Sequence, residues 1–351
     1  MIIKDFLAIS PQNTYNNTHY LSDIKTYFGN KLLSIEPDYT GIIKLNLLRR
    51  MGKALRMGIG CGVPLLQKYG LVDGIIIGTS EGGLEDCIKF LNQIVDYDEG
   101  TLTPTNFVQS TPNALSGYLA LINGNNNYNI THVNKGLAFE NALIDAKMLF
   151  EENKADILLV GGVEEISDYN FNIENSAGQF KKNECYSNEL INSKTEGTVC
   201  GEGSVMFILN SQKTKGSICI EDIHTITYPE KKEIKKIIKE FIGKNNLEID
   251  NIDAVITGYN GNIKTDFRYD NIIDELFTKQ TILTYKNLVG EYPTSSAFAV
   301  MMGHNLMTNN KIPDEISLRN NKKELNNILI YNHYKEAQHS LILLSKCLSS
   351  S

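Results

Sequence analysis

The chain reads as an α/β protein built around buried sheets, and three observations carry that reading. Short, continuously apolar runs alternate with longer segments of helical period. The runs end in glycine and show no polar alternation, as strands covered on both faces do. A strand, a glycine-rich turn and an amphipathic helix follow one another in similar order in each half, with no short-period repeat.

In chain order, Leu55–Gln67 has apolar residues at helical spacing, although its glycines and Pro64 count against a regular helix. Gly74–Gly78 (GIIIG) is a buried strand closed by glycine. Asn123–Asn129 (NGNNNYN) is a turn-rich loop. Ala142–Phe150 is a helix, and Asp156–Val160 (DILLV) is a strand running into Gly161-Gly162. Ser204–Leu209 (SVMFIL) and Ile252–Ile256 (IDAVI) are further strands. The polar stretch Asn210–Lys215 marks the joint, which divides the chain into 1–210 and 211–351. Lys231–Ile242 is the one charge-dense segment. Ile234, Ile237, Ile238 and Phe241 share one helical face with lysines opposite, so it reads as a solvated surface helix rather than a docking helix. Phe298–Met307 is a helix, and Ile328–Tyr331 with Leu341–Leu344 form a closing pair of strands.

Composition narrows the function. The 351 residues are 42% hydrophobic and 21% charged, with a formal charge of −7. That is a globular composition without the basic excess of a nucleic-acid binder. The cysteines are Cys61, Cys87, Cys185, Cys200, Cys219 and Cys347, with no C-x-x-C pair, and only Cys219 has a histidine near it, His224. This is no metal-ligand spacing, so six reduced, mostly buried thiols are expected. The start does not read as a signal peptide, and no apolar run is long enough to span a bilayer. A cytoplasmic protein without metal or cofactor, and without membrane insertion, is the expectation.

Several stretches then come in a telling order: Leu48–Gly62 (LRRMGKALRMGIGCG), Pro112-Asn113, the turn at Lys135-Gly136, Ala155–Glu164 (ADILLVGGVE), Gly201–Ser204 (GEGS), Asp253–Asp266 and Lys286–Ala297. This order resembles the β-ketoacyl synthases, condensing enzymes of the thiolase superfamily, over roughly Leu48 to Leu344. The resemblance implies a five-layered α-β-α-β-α sandwich of two pseudo-equivalent halves. It also implies a site in which a cysteine on a strand-to-helix turn carries the acyl group. Two histidines and a lysine assist decarboxylation, and backbone N–H groups hold the oxyanion. Such chemistry needs a stabilised thiolate and fixed donors.

Carried over residue by residue, the site is missing. Counting back from Gly161-Gly162 puts the nucleophile at Gly136, and no cysteine occurs between Cys87 and Cys185. The first histidine falls at Gly258, in a loop that keeps Asp266. The second falls at Glu291, after a retained Lys286. The C-terminal glycine-rich turn falls near Asn332 (NHYKEA) and has no glycine. Lys286 and Asp266 are expected to pair with each other and fix loops.

Within the family, such a chain looks like a chain-length factor. These subunits lack the nucleophile and form a heterodimer with an active ketosynthase, served by an acyl carrier protein with a phosphopantetheine-linked acyl chain. The branch most resembled is that of short, divergent ketosynthase-like proteins linked to aryl-polyene lipids. Two alternatives stay open. One is an acyltransferase or hydrolase rebuilt around His132 with Glu291, or around Ser110 or Ser116. The other is an acyl-binding homodimer without catalysis. Glu164 and Glu165 are read as residues that hold a loop or helix N-terminus, Cys200 as a packed thiol, and His304 as part of an apolar helix. Gly58–Gly62 lacks the strand and lysine of a phosphate loop.

Overall fold

The computed structural model describes residues 1–102, 104–230, 232–321 and 324–347. Its strands, in chain order, are β1 (Ile2–Ile9), β2 (Phe28–Gly29), β3 (Lys31–Leu32), β4 (Gly74–Gly78), β5 (Tyr128–His132), β6 (Ile157–Glu164), β7 (Cys185–Tyr186), β8 (Cys200–Gly201), β9 (Gly203–Asn210), β10 (Ile218–Thr227), β11 (Ala254–Thr257), β12 (Thr281–Thr284), β13 (Ser317–Arg319), β14 (Asn327–Tyr334) and β15 (Gln338–Lys346). Eleven of them line up in the order β13-β12-β11-β14-β15-β10-β1-β9-β6-β4-β5. Among the described residues, β1 and β10 share one register pair, Ile2 with Cys219, so the sheet is two half-sheets meeting at a narrow seam. Strands up to Asn210 lie on one side of the seam and strands from Ile218 on the other.

Side-chain alternation sorts each half-sheet into two faces. In the first, Ile75, Ile77, Leu159 and Ile208 pack under helices α2 and α5, counted here with α1 (Leu45–Leu48), α2 (Lys53–Tyr69), α3 (Leu84–Asp96), α4 (Pro104–Gln109) and α5 (Ala114–Asn123). Ile76, Leu158, Val160 and Phe207 point the other way, onto a middle layer. That layer holds α6 (Ala138–Glu151) and, after α7 (Asp168–Ser176), α8 (Glu233–Lys244), α9 (Ile263–Leu276) and α10 (Lys286–Val289), also α11 (Ser296–Asn309). Ile256, Leu283, Ile328 and Leu344 of the second half-sheet close on the same layer. Its opposite face, with Val255, Leu329 and Leu343, is covered by α8 and α9. The layers therefore run α-β-α-β-α. Helix α11 is apolar all round because it is buried on all sides, whereas α8 buries one stripe and shows its lysines to solvent.

Two expectations need correction here: the irregular helix at Leu55–Gln67 and the six reduced thiols. Helix α2 runs unbroken through Gly58, Gly60, Gly62 and Pro64. Pro64 cannot donate to the Gly60 carbonyl, but the Tyr15 hydroxyl does, at 3.1 Å. The glycines let neighbouring side chains press onto the helix, so this segment is core and not a ligand loop. Asn332 lies inside β14; the turn comes later, where Lys335 and Glu336 take left-handed φ of 50° and 56°. Cys219 and Cys347 form a disulfide, so these two are not the reduced thiols that composition suggests. Lys231, at the head of the charge-dense segment, lies outside the described residues, and the helix there starts at Glu233.

Candidate functional site

Gly136 sits on a single 3-10 turn, Lys135–Leu137, between β5 and the N-terminus of α6. The space in front of it is taken. A Cβ added there would fall on the Cβ of Tyr334 and lie 2.5 Å from its Cγ and 2.9 Å from its Cδ1. No side chain fits at Gly136 while Tyr334 holds its place. The Gly136 N–H, at the start of a helix where orphan donors face outward, donates to Gln338 Oε1 at 2.9 Å. Tyr334 and Gln338 flank the β14–β15 turn, so one hairpin supplies both the plug and the acceptor.

Gly258 follows β11 and is blocked in the same way. A Cβ there would meet Asn332 Oδ1 and lie 2.5 Å from the Tyr269 hydroxyl. That hydroxyl accepts from the His333 N–H at 3.1 Å. The His333 ring stacks on Tyr269 with centroids 4.8 Å apart. It is 2% exposed, and neither ring nitrogen has a hydrogen-bond partner in good geometry. Burial drives its pKa well below the usual histidine value, with the nearby Lys286 charge adding to the shift, so the ring is neutral.

Lys286 is fully buried on the short helix after β12. It does not pair with Asp266. Its Nζ donates to both Glu291 oxygens, at 2.9 and 2.8 Å, and Asn260 Nδ2 adds a third bond to Glu291 at 2.7 Å. Lys286 thus has a full counter-charge five residues along the chain. Asp266 instead accepts from the N–H groups of Asn260 (3.2 Å) and Gly261 (2.8 Å), closing the loop after β11. Its pKa is pushed up to about 7 by burial, against the pull of those two N–H groups.

The acidic residues of the glycine-bearing motifs are structural. Glu164, at the end of β6, accepts from the N–H groups of Ser80 and Glu81 and from the Thr79 hydroxyl, and burial raises its pKa to about 8. Glu165 accepts from Ala54 N–H in the first turn of α2. Glu202 of the GEGS stretch is fully buried; it pairs with Lys53 and accepts from Ser34 N–H and Ile166 N–H. These carboxylates tie loops together by satisfying buried backbone donors.

A narrow cleft lies against this centre, with Glu164, Cys200, Asn260, Glu291, His333 and Tyr334 in its walls. The Cys200 thiol is held at about 12 by burial first and by neighbouring carboxylates second, so it carries no thiolate at neutral pH. Cys61 is fully buried within α2 and is likewise at about 12. His304 sits on α11 with its ring edge-on to Phe6 and is lowered to about 4 by burial.

The rebuilt-site residues are not brought into a working constellation. His132 Nε2 bonds Asp145 at 2.9 Å, and Tyr128 OH shares that carboxylate, while Glu291 is held by Lys286 and Asn260. The Ser116 hydroxyl is engaged with Asn113 and Thr131, and the Ser110 hydroxyl donates to Phe107 O. The sequence marks Asn332, His333 and Tyr334 only as a turn without its glycines; that these side chains fill the centre, and that Gln338 takes the Gly136 N–H, it does not show. The signal was present: bulky residues stand where the family's turn is glycine-rich, and glycines stand where its side chains should be.

Residues 36–196 match the family model described as beta-ketoacyl synthase, N-terminal domain. No curated protein matches the sequence. Many solved structures share the fold, among them the following three. The ketosynthase ApeO in complex with its chain length factor ApeC from Xenorhabdus doucetiae gives a TM-score of 0.76 at 14% identity, over 99% of this chain and 98% of that one. The ishigamide ketosynthase/chain length factor gives 0.77 at 13% identity, over 98% of both chains. A beta-ketoacyl synthase from Burkholderia phymatum STM815 gives 0.80 at 12% identity, also over 98% of both. The five layers are those of the thiolase-like fold, and the likeness extends over nearly the whole chain.

Proposed function

We propose, taking as premise that this is a β-ketoacyl synthase-like chain, that it is a non-catalytic subunit: a chain-length-factor-type partner of an active ketosynthase in fatty-acid, polyketide or polyene lipid synthesis. The observation that carries the reading is Tyr334 lying in the space in front of Gly136. At the position where the resemblance places the acyl nucleophile there is neither a reactive group nor room for one. The rest of the centre agrees. Gly258 carries no side chain, the Lys286 charge is spent on Glu291, and the Gly136 N–H is spent on Gln338. An oxyanion at that turn would find the Gly136 N–H already bound, and a carboxylate would find Lys286 already paired.

The surface supports a partner. From Gly100 to Asn134 the sequence holds no Asp, Glu, Lys or Arg, where the chain's average of 21% would place about seven. This stretch carries α4, α5 and the sheet-edge strand β5, and it exposes Phe107, Leu121, Ile122, Tyr128 and Val133. An edge strand without charge or proline is unprotected against pairing, and loss of charge marks the core of protein interfaces. In this proposal the halves 1–210 and 211–351 enclose the filled centre between them. The subunit shapes the acyl tunnel and steadies its partner, and an acyl carrier protein delivers the pantetheine-linked chain in the cytoplasm. No helix among the described residues is long and apolar enough to cross a membrane.

The test has two arms. The isolated protein is assayed for decarboxylation of a malonyl thioester and for condensation with an acyl carrier substrate; no turnover above the protein-free blank is expected. Co-expression with an active ketosynthase from the same genome should give a complex that survives size-exclusion chromatography. Turnover by the isolated chain, or failure to form the complex, would overturn the proposal.

A further inference from the structure

We propose that helix α7 is a lid over the cleft, fastened by side-chain bonds and able to swing away between two fixed ends. At one end, Ile166 N–H donates to the buried Glu202 at 2.9 Å. At the other, Gln179 O accepts from Thr198 N–H at 3.0 Å. Just before that second anchor the chain turns at Gly178, whose φ of 77° favours glycine. Of the nine residues of α7, only Phe171 is buried. Its ring stacks on Phe180 with centroids 4.9 Å apart, and the Lys31 ammonium lies 4.0 Å from its centre. Among the described residues, no backbone hydrogen bond joins α7 to another element.

Three side-chain ties hold the helix instead. Asp168 accepts from Lys31 of β3 at 2.6 Å, Asn170 donates to Glu81 beyond β4, and Glu174 accepts from Lys335 of the β14–β15 turn at 2.7 and 2.6 Å. A longer bond of 3.4 Å, from Asn92 to the Tyr169 hydroxyl, adds little. The Asp168 and Lys335 side chains are 82% and 38% exposed, so both ion pairs lie within reach of salt. A segment with one apolar anchor and exposed polar ties belongs to the low-stability end of a fold. Asn170, Phe171 and Glu174 form the α7 side of the cleft, which Cys200 and His333 also line. Cys200 pairs with Lys31 across β8 and β3, so its thiol lies beside the lid's own first tether. The cleft also reaches the buried His333 ring, whose nitrogens have no partner of their own. Opening α7 uncovers this wall while the centre behind it stays packed.

The experiment follows Cys200 in the full-length protein. An uncharged thiol reagent is added, and the labelled cysteines are identified over time by peptide mapping. Cys200 should react faster than the fully buried Cys61, which reports global unfolding. Raising salt from about 0.05 M to about 0.5 M should speed Cys200 about threefold and leave Cys61 within about twofold. Glu174→Gln and Lys335→Gln should each speed Cys200 about two- to fivefold, and the double variant no further than either alone. These two variants separate a lid from a charge effect on the thiol. Removing a carboxylate lowers a nearby thiol's pKa and removing a lysine raises it, so charge alone would drive them in opposite directions. Hydrogen exchange should quicken at Asn170–Ser176 in both variants and stay unchanged at Ile59–Val63 of α2. Labelling of Cys200 only at the rate of Cys61, fast labelling that ignores salt, opposite shifts in the two variants, or unchanged exchange in α7 would each overturn the proposal.

Discussion

Two regions that face each other across the candidate site have changed in opposite directions. The turn at Gly136 and the loop at Gly258 carry no side chain, while the hairpin of β14 and β15 presents Asn332, His333, Tyr334 and Gln338 to them. The volumes complement each other: Tyr334 fills the space at Gly136, and Asn332 with the Tyr269 hydroxyl fills the space at Gly258. A site that had merely lost its groups would be left with voids and unpaired donors. Here side chains pack against Gly136 and Gly258, the Gly136 N–H has an acceptor and Lys286 has a carboxylate, while Asn332 Oδ1 and both His333 ring nitrogens stay without a partner. The difference teaches that the centre has been rebuilt as core, so its residues should now behave as core residues do.

The most severe way to break that contrast is to strand the buried charge. Glu291→Ala leaves the fully buried Lys286 ammonium without its counter-ion, and a loss of about 3–5 kcal/mol is expected in urea unfolding. The double variant K286M/E291L removes both charges and should return to within about 1–2 kcal/mol of the parent, or exceed it. If Glu291→Ala were neutral, the pair would not be part of a packed core.

Next in size is the exchange of volume itself. Gly136→Cys, which restores the side chain type of an acyl nucleophile, should destabilise by roughly 1–3 kcal/mol or yield insoluble protein, because the added Cβ runs into the Cβ and ring of Tyr334, which must shift. Adding Tyr334→Gly should recover part of that loss, a coupling of about 0.5–3 kcal/mol in a double-mutant cycle. The double variant should still lack condensation activity, since Lys286 remains bound to Glu291 and Gly258 remains bare. Equal stability of Gly136→Cys and the parent would contradict the plug.

These expectations also measure how much could be read from the chain. The layered α/β class was legible because buried strands such as Gly74–Gly78 are continuously apolar and bounded by glycine. The positions Gly136, Gly258, Glu291 and Lys286 were legible because they sit at fixed offsets from glycine-bearing motifs. Their partners were not. That Lys286 pairs with Glu291 rather than Asp266 depends on how the loop after β11 folds back on itself, and Asp266 is consumed by two backbone N–H groups there. Tyr334 lies 198 residues from Gly136, and no local pattern links them. The Cys219–Cys347 bond has the same character, since spacing alone does not say which strands become neighbours. Helix α2 was obscured because its glycines and Pro64 oppose helix formation locally, and tertiary packing with the Tyr15 bond overrides them.

A smaller effect tests the buried acids that the motifs kept. Glu164 is raised to about 8 and Asp266 to about 7, in both cases by burial above all. In the folded state these groups hold protons that the unfolded chain has released above about pH 4.5. The unfolded state therefore binds fewer protons, and stability falls as pH rises from about 4.5 to about 8, by up to about 1.4 kcal/mol per pH unit per group. His333 and His339 act in the other direction: burial lowers both, His339 to about 4, so below about pH 6.5 the unfolded chain takes up protons that the folded state refuses. The two opposing pairs of slopes cancel between about pH 4.5 and 6.5, so stability measured by urea unfolding should be level there and fall above about pH 6.5, and Glu164→Gln should flatten the alkaline side. An unchanged slope in Glu164→Gln would show that Glu164 is not protonated in the folded state.

The smallest expected effect bears on whether any chemistry persists outside the filled centre. His132 lies four residues before Gly136, and its ring bonds Asp145, which also accepts from Tyr128 OH. Both partners are partly exposed, so the pair is worth about 0.2–1 kcal/mol. His132→Asn should cost no more than that in urea unfolding. It should also leave any thioesterase or acyl-transfer signal at the protein-free blank, exactly where the parent is expected to lie. A rebuilt catalytic site would give a different pattern: a measurable parent rate, abolished by His132→Asn and unaffected by Glu164→Gln. The geometry argues against it, because a general base must reach the proton it removes, His132 is engaged with Asp145, and the Glu291 that would have oriented it is bound instead to the buried Lys286.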